Sequence, residues 1–243
     1  MSYKQIKSAI ETGATSISVT MDRQPVANNL LVACISSNDG DCTNDGRFST
    51  AINVYDVVDD DFFRIAYGVA PADTSPTITF TNFVGNTKNL SVTEWPCENT
   101  TTPLDQTAST GATAPTSVTT IASGTTGATA DAIETAIAMT SVRSAISAQQ
   151  ADNGFTVMNS SNGSFSDFSA FKHLTATGAQ SCNLSWTTSG LCTGGAIATF
   201  RARAYVAPAP RGFNDKASLA IMASQRDDGK WDHAKSADFW WGT

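Results

Sequence analysis

Oxygen-bearing side chains cluster on a glycine-bent stretch between residues 38 and 46, where Asn38, Asp39, Asp41, Thr43, Asn44 and Asp45 surround Gly40 and Gly46. Clustered carboxylates and amides on a glycine-bent loop are what a hard cation such as calcium needs. Asp39, Asp41 and Asp45 are therefore the candidate calcium ligands, and no other cofactor is expected. The spacing is not that of an EF-hand, which also requires a distant glutamate, and Asn-Asp-Gly is ordinary turn chemistry as well. The run Asp59-Asp60-Asp61 is a weaker candidate, because successive strand residues point to opposite faces.

Glycoside cleavage needs two carboxylates flanking a groove. The nearest pair, Glu94 and Glu98, straddles Trp95-Pro96-Cys97 at a strand end and reads instead as solvated or hydrogen-bonded edge carboxylates. His173 sits within a strand, where a lone histidine is expected to be structural, and His233 lies beside Asp232 with no serine or cysteine partner in sequence. The Gly-x-Ser-x-Gly elbow, the zinc-protease helix, the P-loop and the dinucleotide fingerprint are all missing. The reading is therefore non-enzymatic, with no catalytic residue assigned. Five cysteines give an odd count, so at least one is unpaired in a monomer. Cys182 and Cys192 flank an expected hairpin and could bridge across it, and Cys34 and Cys42 bracket a turn-rich segment and could do the same. No Cys-x-x-Cys pair is present to suggest zinc.

The net charge of −7 and the absence of any Lys/Arg stripe exclude a phosphate-neutralising surface, so no nucleic-acid partner is expected. Arg201 and Arg203 share one face of a strand and read as a solvated face. No run approaches the roughly 20 apolar residues of a membrane span. The opening residues contain no apolar stretch of the secretory kind. A charged fraction of 15% with 41% hydrophobic residues argues for a folded chain whose polar surface is built from Ser, Thr and Asn.

The elements that must carry these residues are short strands separated by turns. Residues 1–15 read as an N-terminal arm or helical turn. Ser16–Met21 alternates with period two, and Asn29–Ile35 is a continuous apolar run that suits a strand covered on both faces. Strands follow at 51–55, 62–67, 77–80 and 90–95, with Gly, Pro and Asp turns between them. The second half repeats the texture. A weak strand is expected at 117–121, and 132–139, helical by propensity, is read as a strand because it takes the place of the earlier covered one. Further strands are expected at 155–158, 168–174, 180–186 and 196–205. The spacing predicts one antiparallel β-sandwich over 16–206, with Leu31, Val54, Phe80, Val92 and Phe200 in its core. Residues 207–243 carry Pro208, Pro210, Trp231, Phe239, Trp240 and Trp241. Aromatics of this density are expected to bury themselves, and the stiff proline exit favours an assembly arm docking on another subunit.

From Asn29 to Phe200 the order of these segments resembles jelly-roll or immunoglobulin-like β-sandwich modules. The carriers are Asn-Leu-Leu-Val-Ala, then Phe-Phe-Arg-Ile-Ala-Tyr-Gly-Val-Ala-Pro, then Leu-Ser-Val-Thr-Glu-Trp and Pro103-Leu104-Asp105. Such modules occur in phage structural proteins and bacterial surface proteins, and the resemblance implies a fold with no shared catalytic residues. The expectation is a virion structural protein of a phage, such as a capsid decoration, head-fibre or tail-associated protein. It would assemble in the host cytoplasm with other virion subunits and as a homo-oligomer. The alternative is a carbohydrate-binding or adhesive module at a cell surface, stacking a host glycan on Tyr55, Tyr67 or Trp186.

Overall fold

In the computed structural model the described residues are 3–38, 40–44, 46–56, 60–84, 87–111 and 116–203. Among them every regular element is a strand: β1 (Gln5–Thr12), β2 (Ser16–Thr20), β3 (Leu30–Ser37), β4 (Thr43–Asn44), β5 (Ser49–Tyr55), β6 (Phe62–Val69), β7 (Thr77–Thr81), β8 (Thr87–Trp95), β9 (Leu104–Ser109), β10 (Thr116–Thr125), β11 (Thr135–Arg143), β12 (Gln150–Ala151), β13 (Thr156–Ser160), β14 (Ser166–His173) and β15 (Ser181–Phe200). All pairings are antiparallel.

The strand order carries more information than the strand count. In the first half, one sheet runs β1-β8-β3-β6-β5 and a smaller one runs β2-β7-β4. First strand beside last, and second beside second-last, is the winding of a jelly roll, with its two Greek keys. The second half repeats the path. β9 and β11 pair with the later part of β15, at 196–200 and 191–200, β14 and β13 follow β11, and β12 pairs with β15 at 184–185 while β10 pairs with it at 181–185 and again at 190–192. Here β15 does the work of both β7 and β8, passing without a break from the outer layer to the inner one. The chain expected to form one sandwich over 16–206 thus makes two jelly-roll lobes, roughly 3–95 and 104–203. The arm expected over 1–15 is the edge strand β1, which completes the first sheet by pairing with β8 from Gln5 to Thr12. Residues 207–243 lie outside the described residues.

Three cores follow from this arrangement. Within lobe one, Leu31, Ala33 and Ile35 on one face of β3 meet Ile17, Val19, Ile78, Phe80 and Phe62. Within lobe two, Ala136, Ala138 and Val142 of β11 meet Phe168, Leu184 and Trp186. The third core lies between the lobes. Leu30, Val32 and Cys34, on the other face of β3, pack with Trp95, Ile65, Ile137, Met139, Phe171 and Phe200. β3 and β11 are therefore covered on both faces and buried along nearly their whole length. That is why the first reads as an unbroken apolar run and the second as a strand with no polar face. The five expected core residues are all buried, but Leu31, Phe80 and Val92 serve the first core while Val54 and Phe200 serve the interlobe one.

The interlobe contacts are reciprocal. β3 touches β14 while β6 touches β11, and β5 touches β9 while Ser8 of β1 donates to Asn159 of β13 at 2.8 Å. Equivalent strands of the two lobes exchange partners, as in the isologous interface of a symmetric dimer. Glycine makes the tightest crossing possible within lobe two. A Cβ at Gly195 would lie 2.3 Å from the carbonyl oxygen of Ala122, so only a bare backbone lets β10 pass over β15.

The five cysteines are free thiols. Cys182 and Cys192 do not oppose each other across a hairpin, because both lie on β15. Cys192 pairs with Thr116 and Asn183 with Ala122, a separation of about 20 Å along β10, far beyond disulfide reach. Cys34 and Cys42 belong to different cores, one facing lobe two and the other inside lobe one. Burial pushes the thiols of Cys34, Cys42 and Cys182 up to about 12, which leaves them without thiolate character at neutral pH.

Candidate functional site

Most of the residues singled out from sequence are engaged in holding the fold. Asp41 forms an ion pair with Arg64 and also accepts the Cys42 amide at 2.6 Å. Asp39 and Asp45, the other two calcium candidates, lie outside the described residues. Glu94 is fully buried. One oxygen accepts from Gln5 at 2.6 Å and the other from the Val26 amide at 2.9 Å and from Asn29. Its lone pairs tie β8 to β1 and to the turn before β3, with Lys4 at 4.0 Å. Glu98 instead pairs with Arg203 at 2.8 Å. His173 shares a hydrogen bond with Thr135 at 2.9 Å and packs edge-on against Trp95 and Phe171, and burial lowers its pKa. His233, Trp231, Phe239, Trp240 and Trp241 lie outside the described residues.

Arg201 departs from its expected place on a solvated face. Its side chain is only 18% exposed and binds Asp105 at 2.7 Å and Asp131 at 2.8 Å. It also donates to the Thr102 carbonyl at 2.6 Å. Three elements of lobe two are clamped by this one planar fork of donors. Glu134, close to Asp105 and accepting the Asp131 amide at 3.3 Å, is fully buried, with Oε2 lacking a hydrogen-bond partner. Burial, opposed by a hydrogen bond from Thr199 and reinforced by the charge of Asp105, pushes Glu134 up to about 7. An open hollow of about 700 Å³ borders the cluster, walled by Glu98, Asp131, Ile133, Arg201 and Arg203. Both arginines face carboxylates, so the hollow offers no uncompensated positive charge for an anion.

The second concentration of polar groups lies between the lobes, at the end away from Trp95. Asp61, ahead of β6, is 1% exposed and takes the guanidinium of Arg143, at the end of β11, through bonds of 2.6 and 2.8 Å. This two-pronged pair joins lobe one to lobe two. Next to it the interlobe faces of four strands carry polar side chains in place of apolar ones. These are Ser36 on β3, Asn89 and Ser91 on β8, Ser141 on β11, and Asp167 and Ser169 on β14, all buried. The pairings Ser36↔Asn89, Cys34↔Ser91, Ser141↔Asp167 and Met139↔Ser169 set them side by side. Burial pushes Asp167 up to about 6, opposed by hydrogen bonds from Ser161 and Asn159.

Sequence reasoning missed this seam and the Arg201 hub. In Ser166-Asp167-Phe168-Ser169-Ala170-Phe171 Asp167 and Ser169 stand two apart, which reads as a face in water. The available signal was that the strand equivalent to β6 should, like β6, be covered on both sides. Tyr67 and Trp186, two of the three expected sugar platforms, are turned inward. Tyr67 packs on Phe200 and Trp186 is 4% exposed, leaving Tyr55 at 41%. Set against protein-family models, curated proteins and solved structures, the chain matches none.

Proposed function

We propose that the protein is a non-enzymatic virion structural protein of a phage that acts by assembling with other subunits. The observation that carries this reading is the doubled jelly roll, two lobes clasped by their inner sheets. Jelly rolls recur as viral capsid and lectin domains, and between those two the disposition of aromatics favours the first. A glycan platform needs exposed rings, and of Tyr55, Tyr67 and Trp186 only Tyr55 presents one. Five free thiols, four of them buried, also suit a chain that folds in a reducing compartment. Among the described residues Asp41, Asp61, Glu94, Glu98 and Asp105 are engaged in ion pairs or hydrogen bonds of the fold and four of the five thiols are buried, which supports a role of shape and surface.

In this reading the lobes form the body, and the C-terminal segment with Trp231, Phe239, Trp240 and Trp241 is the assembly arm. The test is to end the chain at Val206 and follow folding and association separately. An unchanged thermal transition with loss of oligomers or of particle binding is the expected result. A truncated chain that oligomerises and binds particles like the full chain removes the arm from the proposal. Detection of the protein by mass spectrometry in purified phage particles tests the virion assignment itself.

A further inference from the structure

Asp167 presents an unsolved charge problem. It is fully buried, and no cationic side chain among the described residues bonds to it. Its Oδ2 has no hydrogen-bond partner, and on the same polar stretch of the interlobe faces Asn89 Oδ1 and the Ser141 hydroxyl are likewise buried and unpartnered. An isolated buried carboxylate is costly unless it is paired or neutralised. The unpartnered atoms are all hard oxygens, with Ser141 next to Asp167 across the β11–β14 ladder and Asn89 tied to the start of β14 by its bond to the Phe165 carbonyl at 3.3 Å. A cavity of about 180 Å³ opens between β1 and β13, with Ser8, Ile10, Asn159 and Ser161 in its wall and Asp167 lining it as well. That volume is ample for an ion with some of its water.

We infer that the polar end of the interlobe seam is a binding site for one alkali-metal cation, held by the Asp167 carboxylate with Asn89 and Ser141 as neutral oxygen donors. Charge balance selects the class. One carboxylate among neutral oxygens neutralises a monovalent ion, whereas calcium sites gain affinity from additional charged ligands. The bound ion would draw β8 of lobe one and β11 and β14 of lobe two onto a common centre, complementing the Asp61–Arg143 pair beside it.

The probe is the thermal transition of the full chain in sodium chloride, potassium chloride and choline chloride at equal ionic strength and at about pH 8, where such a carboxyl is ionised. Choline carries its charge behind methyl groups and cannot be coordinated directly by oxygen donors, so it controls for screening. The inference predicts a Tm higher by about 3–8 °C in sodium or potassium than in choline, and the same Tm in all three salts for Asp167→Asn. Ser141→Ala, which keeps the carboxylate but loses one donor, should shrink the difference without abolishing it. Equal Tm values for the wild-type protein in the three salts would overturn the inference. A salt difference that persists undiminished in Asp167→Asn would overturn it as well. Should that variant fail to fold, the wild-type comparison and Ser141→Ala decide between the outcomes.

Discussion

The two ends of the interlobe seam are built from opposite materials. At one end Trp95 meets Phe171 with ring centroids 5.4 Å apart, Tyr3 stands edge-on to both, and Tyr67 leans on Phe200. At the other end the same strands present serines, Asn89, Asp167 and the Asp61–Arg143 pair. The difference teaches how a fused pair of lobes divides its labour. The aromatic end buries area, which is strong but tolerant of sliding, because apolar contact has no direction. The polar end adds little net energy, but its Asp61–Arg143 pair forms in one register only.

The largest effect should come from breaking the apolar end. Trp95→Ala removes a fully buried ring touching both lobes and is expected to cost about 3–5 kcal/mol. In a chain of this size that lowers Tm by on the order of 10 °C, readable by calorimetry. A loss of less than about 1 kcal/mol would mean the lobes do not depend on each other through this contact. Next comes the ion pair at the polar end. Arg143→Ala strands the buried Asp61 carboxylate and should cost about 2–3 kcal/mol, below the fully buried case because the arginine is 32% exposed. The double replacement Asp61→Leu with Arg143→Leu should recover most of that loss, since it leaves no unpaired charge. If the double variant is as unstable as the single one, the pair contributes attraction beyond register.

The third prediction sharpens the contrast through pH. Glu134, close to the apolar end, has a folded-state pKa raised from 4.5 to about 7. The folded state therefore binds the proton more tightly, and this contribution to stability is lost as pH rises from about 4.5 through 7. Glu134→Gln should flatten that part of the Tm-versus-pH curve and raise Tm at pH 8 relative to the parent. A curve of unchanged slope would remove Glu134 from the account. The smallest effect is reserved for the seam's outer rim. Ile10 on β1 is 51% exposed, and Ile10→Ser should change stability by less than about 0.5 kcal/mol, measured by urea titration.

The strands were legible in the sequence where a single physical demand acted on them. The run from Leu30 to Ile35 has to be apolar on both faces, and it was readable as a covered strand. Residues 132–139 could be read as its counterpart despite their helical propensity, since Ile137 and Met139 face one core and Ala136 and Ala138 another. The doubling itself went unseen, although Thr12-Gly13-Ala14-Thr15 after β1 recurs as Thr110-Gly111-Ala112-Thr113 after β9. Four shared residues are a faint signal, and the continuity of β15 through Trp186 to Ser189 disguised the matching strand break. The candidate site was the least legible part. Asn89 and Ser91, like Asp167 and Ser169, stand two apart just as solvent-facing residues do, and only the opposite lobe, lying across each pair, makes that face an interior. Arg201 likewise read as a surface residue, because its partners Asp105 and Asp131 are about 70 or more positions away in the chain.

Two jelly rolls clasp each other across the seam, with β1 of one against β13 of the other. Cross-linking tests this most directly. Ser8→Cys and Asn159→Cys replace side chains that hydrogen-bond between the lobes at 2.8 Å, and a short bismaleimide should join them within one molecule. Tryptic peptide mapping of the monomer fraction should then recover the 8–159 link in high yield, with the buried native thiols unmodified. Singly labelled peptides from both positions, with no 8–159 link, would contradict the clasped arrangement and with it the seam on which this account rests.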